Sequence, residues 1–164
     1  MRRVATGGAS TSAGLQRRPR GLTVVELMLA LVILGVLASI AIPGYQDYRQ
    51  RVRITQAKHD IATMSGLISN HFNDARAYPD SLADVGLGDY RDPWGNPYGY
   101  TNLGAKGAKG QARKDHSLVP INSDFDLYSM GPDGRSAPPL TAKYSQDDIV
   151  RARDGAFIGI ASDF

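Results

Sequence analysis

Cysteine is absent from this 164-residue chain, which excludes disulfides and cysteine-based metal sites. Only three histidines occur, and they lie far apart along the sequence: His59, His71 and His116. The chain also lacks a G-x-S-x-G, H-E-x-x-H or phosphate-loop pattern, the short signatures that bring catalytic groups together. We therefore predict a structural or binding protein and not an enzyme.

Acidic residues are missing from residues 1–21, although five of the chain's 19 basic residues lie there. The net charge of +3 therefore misleads, because the remaining chain has 14 basic residues against 16 acidic ones. A basic surface is the usual mark of a nucleic-acid-binding protein. Since the excess is confined to a segment with the composition of a cytoplasmic leader, no nucleic-acid partner is expected.

An apolar run follows this basic leader. Leu27–Ile42 contains no charged residue, and with Leu22–Val25 it approaches the roughly 20 residues that span a bilayer. Arginines just before the run hold its N-terminal side in the cytoplasm. We predict a single membrane helix over residues 22–43, with the rest of the chain outside the cytoplasm.

Glu26 interrupts the apolar run. A carboxylate at membrane depth costs roughly 2.5 kcal/mol or more and by default indicates a function. One interpretation is that Glu26 reaches to the membrane interface. The other is that it pairs with a cation: cleavage after Gly21 would free the amine of Leu22, and a neighbouring, staggered helix would offer that amine to Glu26. Such a pair fixes register more than it adds stability.

The segment Arg20–Leu27, RGLTVVEL, resembles the class III signal of type IV pilins and type II secretion pseudopilins. The resemblance implies that a prepilin peptidase cleaves after Gly21 and methylates the amine of Leu22, which stands where Phe is commonest. It also implies an assembly role for Glu26 and for Pro43, near which the family's helix bends or melts. Proline removes one helical hydrogen bond.

A second helical pattern follows Pro43. Apolar residues recur at spacings of three and four, the sign of an amphipathic helix: Ile54, Ala57, Ile61, Met64, Ile68 and Phe72. Charged residues, Asp60 among them, occupy the other faces. We predict that the helix continues over residues 44–73 and that the C-terminal half of the chain covers its apolar face.

Residues 74–164 are predicted to form a globular head. A short helix is expected at Ser81–Val85, and three strands are expected near Tyr98–Tyr100, Phe125–Met130 and Ala156–Ile160. The predicted fold class is α+β and type IV pilin-like. Its long N-terminal helix, membrane-spanning in the first half, packs on a small antiparallel sheet with a C-terminal loop.

Two further segments of the head are predicted to be surface loops. The first contains GAKGAKG and its basic neighbours, for which a solvated, mobile loop is favoured over nucleic-acid or lipid contact: Lys106, Lys109, Arg113 and Lys114. The second is Arg135–Gln146, which contains two adjacent prolines.

The motifs DPWGNPY and FDLYSMGPDG resemble the major pseudopilin of the type II secretion system. The resemblance implies a structural subunit of a periplasmic filament that promotes protein export, anchored in the bacterial inner membrane with its head in the periplasm. The implied partners are further copies of the subunit, minor pseudopilins, prepilin peptidase, an assembly ATPase, an inner-membrane platform and membrane lipid. The alternative is a type IV pilin or minor pilin of a surface fibre for adhesion, motility or DNA uptake. Many type IV pilins close a loop with a disulfide, which this chain lacks.

The same resemblance implies a Ca²⁺ site in the C-terminal loop. Ca²⁺ takes six to eight oxygen ligands, and carboxylates are available from Asp133, Asp147 and Asp148. The alternative is that Asp133 forms an Asx turn and that Asp147 and Asp148 cap a short helix before Ile149. The segment Arg135–Gln146 is longer than the family's usual connection, which puts the site in doubt.

Overall fold

The computed structural model describes residues 21–116 and 119–164. The basic leader at residues 1–20 lies outside the described residues. Helix α1, Val24–Ala75, is the longest element. The chain divides into two compact units between Ile42 and Pro43, so the predicted membrane segment and the head belong to different units.

The head is built on a four-stranded antiparallel sheet in the order β1-β4-β5-β6. Its strands are β1 (Gly99–Asn102), β4 (Phe125–Ser129), β5 (Ile149–Ala152) and β6 (Phe157–Ile160). A separate two-stranded pair joins β2 (Lys114–Asp115) to β3 (Val119–Pro120). Short 3₁₀ turns lie between these elements, and the first of them, Leu82–Val85 between α1 and β1, lies where the short helix was predicted.

The apolar stripe of α1 packs on one face of the sheet. Its fully buried members are Ala57, Ile61, Met64 and Ile68. They form a cluster with Tyr98, which lies just before β1, with Phe125 and Leu127, which alternate along β4 and so point to the same face, and with Ile149 of β5. The predicted amphipathic helix and α+β fold are therefore confirmed.

A second apolar cluster covers the opposite face of the sheet. Its buried members are Ile121, Leu140, Val150, Ala152 and Ala161. Leu140 comes from the segment predicted to be a surface loop, Arg135–Gln146. The Leu140 N–H donates to the carbonyl of Lys114, and the Lys114 N–H donates to the carbonyl of Pro138. The segment is thus part of the packed fold.

The sequence interpretation misses three strands, β2, β3 and β5, and it does not predict the burial of Asp60 and Asp126. Strand β5 was not predicted, because IVRA is short and carries a central arginine. Asp60 was assigned to a solvent face of α1, but it is buried and accepts hydrogen bonds from Tyr98 and Gln56. Asp126 is buried as well, where it accepts the N–H of Arg113 and the amide of Asn122.

Candidate assembly site and the head motifs

Glu26 lies in the first turn of α1 and caps its own helix. Its Oε2 accepts the Thr23 N–H at 3.0 Å and the Thr23 hydroxyl at 3.0 Å. The Glu26 N–H in turn donates to Thr23 Oγ1 at 3.2 Å. This reciprocal arrangement is a capping box, which satisfies amides that have no carbonyl partner in the helix. Within the described residues only Oε2 of Glu26 accepts hydrogen bonds, so Oε1 remains available to a cation.

The predicted cleavage and membrane residues are all solvent-exposed in the first unit. Gly21 and Leu22 precede α1 and are exposed. The large apolar side chains from Leu22 to Ile42 are between 51% and 77% exposed. This stretch belongs to the one described helix that is long and apolar enough to cross a membrane. Such a surface in water would be unstable, so it requires lipid or another protein to cover it.

Pro43 lies inside α1, at the start of the second unit. It has no N–H to donate to the carbonyl of Ser39 four residues earlier. The helix nevertheless continues through this position. The bending or melting that the family resemblance implies at Pro43 stays a prediction.

The two head motifs meet at the side chain of Asp92. Its Oδ1 accepts the N–H groups of Trp94 at 3.0 Å and Asn96 at 2.8 Å. Its Oδ2 accepts the hydroxyl of Ser129 at 2.6 Å, and Asp92 itself is only 4% exposed. DPWGNPY and FDLYSMGPDG are therefore two sides of one contact.

A second contact joins the DPWGNPY motif to the turn after β4. The Asn96 side-chain amide donates to the carbonyl of Gly131 at 3.0 Å. Gly131 has a φ of +63°, and a Cβ there would lie 2.5 Å from the carbonyl oxygen of Asp147. Only glycine fits this close backbone approach, which brings Asp147 against the turn.

The three predicted calcium ligands have different partners. Asp133 accepts the Arg135 N–H at 2.8 Å, which is the Asx turn that was the alternative interpretation. Asp147 Oδ2 accepts the Asp133 N–H at 3.4 Å. Asp148 is fully buried and forms an ion pair with Arg113 at 2.5 Å. Burial raises the pKa of Asp148 to about 6, although Ser136 and Arg113 act in the opposite direction.

These contacts do not fit a calcium site made by all three carboxylates. In residues 21–116 and 119–164, no group of three or more His, Asp or Glu side chains is placed to hold a metal ion. Asp133 and Asp147 lie next to each other in the structure and remain as possible ligands, whereas Asp148 is already paired with the guanidinium of Arg113. Calcium binding stays a prediction from the sequence.

Comparison with known proteins identifies the family. Residues 16–42 match the prokaryotic N-terminal methylation motif. The type II secretion system core protein G of Pseudomonas aeruginosa is 31% identical over 143 residues, which cover 74% of this chain and 89% of that protein. The chain belongs to this pseudopilin family. The homologous core protein G of Escherichia coli is 28% identical over 154 residues, covering 81% of this chain and 90% of its own length.

The similarity of this pseudopilin to pilins is shorter. The type IV major pilin PilA of Myxococcus xanthus is 33% identical over 90 residues, which cover 55% of this chain but only 40% of PilA. No solved structure matches the chain. The major-pseudopilin resemblance is thus confirmed, and the pilin alternative is less well supported because its match covers less than half of the relative.

Sequence reasoning missed two residues that organise the pseudopilin head. Asp92 was quoted only as part of a turn motif, and no local signal marks it as a hydrogen-bond centre. Arg113 was placed in a solvated basic loop, yet it is only 3% exposed. Its position just after the glycine-rich repeat, GAKGAKG, and Gln111-Ala112 gave no sign of the contact, because the partner Asp148 lies on a distant segment.

Proposed function

We propose that this pseudopilin is a structural subunit of the type II secretion pseudopilus and promotes protein export by assembling into a periplasmic filament. The family relationship over most of the chain supports this function. The observation that carries it is the apolar unit before Pro43, whose large side chains are exposed around a carboxylate, Glu26.

The first step of the proposed pathway is membrane insertion and processing. The leader stays in the cytoplasm, residues 22–43 cross the inner membrane once, and the head lies in the periplasm. Prepilin peptidase cleaves between Gly21 and Leu22 and methylates the new amine of Leu22. The match to the N-terminal methylation motif, which spans residues 16–42, supports this assignment.

The second step is recruitment of the next copy of the subunit. The capping box holds Glu26 at the start of α1 with Oε2 occupied by Thr23. In an apolar assembly a lone carboxylate is costly, and an amine at hydrogen-bond distance offsets that cost. We expect Oε1 of Glu26 to accept the Leu22 amine of a neighbouring copy. Minor pseudopilins, an assembly ATPase and an inner-membrane platform are the further expected partners.

The experiment that tests this function is gene deletion with two readouts. The proposal expects loss of protein export in the deletion strain and unchanged surface fibres. Loss of surface fibres with normal export would instead support the pilin alternative and overturn the proposal. Intact mass and N-terminal sequencing of the protein from native inner membrane would test processing separately. A chain that begins at methylated Leu22 is expected, and a chain that retains residue 1 would contradict the cleavage assignment.

A further inference from the structure

The turn and loop after β4 pack against a buried positive charge that comes from an earlier part of the chain. Arg113, just before β2, is 3% exposed, and its Nη2 lies 2.5 Å from Oδ2 of Asp148. Its Nη1 donates to the hydroxyl of Ser136, and that hydroxyl donates to the same Asp148 oxygen at 2.6 Å. The three side chains therefore form a closed ring of charge-assisted contacts, which are stronger than neutral hydrogen bonds.

Arg113 is fixed by its backbone and by stacking as well. Its N–H donates to Asp126 at 2.6 Å, and its carbonyl accepts the N–H of Ile121. The guanidinium carbon lies 4.2 Å from the ring centre of Tyr128 on β4, a cation–π distance. The guanidinium thus joins β4 to both ends of the loop that runs from Ser136 to Asp148.

This arrangement opposes a divalent cation at the same carboxylate. Oδ1 of Asp148 is buried and has no hydrogen-bond partner among the described residues. A dication on that oxygen would lie beside the guanidinium already held on Oδ2, and like charges repel strongly where water is excluded. The other two predicted ligands are bound to backbone amides of the turn itself, as described above.

We propose that the guanidinium of Arg113 supplies the positive charge that balances Asp148 in this loop, and that residues 130–148 keep their fold without bound Ca²⁺. A buried carboxylate needs a partner of opposite charge. In this chain the guanidinium provides it, and the next residue, Lys114, pairs through its backbone with residues 138–140 of the same loop. The inference does not depend on the pseudopilus proposal, because it concerns how the head folds.

The first test compares the melting temperature of the processed, detergent-solubilised protein in EGTA and in about 10 mM Ca²⁺. We expect the same value in both conditions. A site with roughly millimolar affinity would raise the melting temperature by about 4 °C or more at this concentration, and such a rise would overturn the proposal. Cleavage at the exposed Lys143 by a lysine-specific protease is expected to proceed at equal rates in both conditions. Faster cleavage in EGTA would also contradict it.

The second test removes the guanidinium. Arg113→Met should lower the melting temperature by about 10 °C or more, because it leaves Asp148 as an unpaired buried charge, whereas Arg113→Lys should recover part of the loss. Lys143→Met, which changes an exposed side chain of the same loop, is the matched control and should shift the melting temperature by no more than about 2 °C. If Arg113→Met does not fold, the additional change Asp148→Asn should restore folding. A melting temperature for Arg113→Met equal to that of Lys143→Met would overturn the assignment.

Discussion

The two parts of helix α1 treat their apolar residues in opposite ways. Before Pro43, large apolar side chains occur on all sides and are more than half exposed. After Pro43, apolar residues follow one stripe, and Ala57, Ile61, Met64 and Ile68 are buried against the sheet. The apolar side chains after Pro43 are buried within the chain itself, whereas those before Pro43 need lipid or another molecule to cover them.

The same contrast holds for carboxylates. Glu26 in the first part uses one oxygen for its own helix cap, and its other oxygen has no partner in residues 21–116 and 119–164. Asp60 in the second part is buried and uses both oxygens, one for Gln56 and one for Tyr98. One helix thus carries an acid that is ready for another molecule and an acid that is satisfied inside the fold.

The largest effect is expected from removing the acid of the first part. Glu26→Ala should still insert and be processed, but it should form few or no filaments, because the Leu22 amine of the next copy would have no carboxylate to meet. Glu26→Gln is the matched control for charge, since its amide oxygen still accepts the bonds from Thr23. Filament yield by electron microscopy and processing by mass spectrometry measure the two effects. Normal filament yield from either variant would contradict the charge-pairing mechanism.

A second test makes the same kind of truncation in both parts of the helix. Ile61→Ala should lower the free energy of unfolding of the head by about 2–5 kcal/mol, because it leaves a cavity in the core. Leu31→Ala, at a side chain that is 61% exposed, should change it by no more than about 0.5 kcal/mol. Urea denaturation in detergent measures both. Equal losses would mean that the apolar residues before Pro43 stabilise the head, contrary to the contrast drawn above.

Periodicity explains what the sequence predicts well. The apolar run before Pro43 and the three-and-four spacing after it depend on residues that are close in sequence, and both were predicted from those patterns. The α+β class followed because the apolar stripe of the helix needs a covering layer and three strands were predicted in the C-terminal half. Strand β5 was missed because its four residues, all buried, show no alternation with polar positions.

Long-range polar contacts explain what the sequence does not predict. Asp92 meets Ser129, and Arg113 meets Asp148, across 37 and 35 residues of chain. No spacing rule links such positions, because their distance depends on how the strands and the loops between them pack. The motif resemblance identified DPWGNPY and FDLYSMGPDG as a pair, but only the folded chain shows that Asp92 joins them.

Removing the Asp92 contact between the two motifs is expected to have an intermediate effect on the stability of the head. Asp92→Ala should lower the free energy of unfolding by roughly 2–3 kcal/mol, because the Ser129 hydroxyl and two backbone amides lose a charged acceptor. Asp89→Ala is the control, since Asp89 is an exposed acid three residues earlier. Urea denaturation again provides the measurement. Indistinguishable urea midpoints for the two variants would show that the hydrogen bonds accepted by Asp92 contribute no stability.

The smallest effect concerns Tyr98, the partner of the buried acid on α1. Its hydroxyl donates to Asp60 Oδ2 at 2.9 Å, and Tyr98→Phe should cost about 1 kcal/mol near neutral pH. Burial and the bond to Asp60 raise the pKa of Tyr98 well above its ordinary value. The unfolded chain therefore releases this proton near pH 10 while the folded chain retains it, so the free energy of unfolding should fall as the pH rises from about 9 to about 11.

Tyr98→Phe should make that alkaline loss smaller, although Tyr100, whose pKa burial also raises, will preserve part of it. Tyr48→Phe, at an exposed position on the same helix as Asp60, serves as the control and should leave both the stability and its slope with pH unchanged. Chemical denaturation at the two pH values measures the difference. Equal losses of stability at high pH for Tyr98→Phe and wild type would contradict this prediction. They would mean that folding does not raise the pKa of Tyr98, and that water can replace Asp60 as the partner of its hydroxyl.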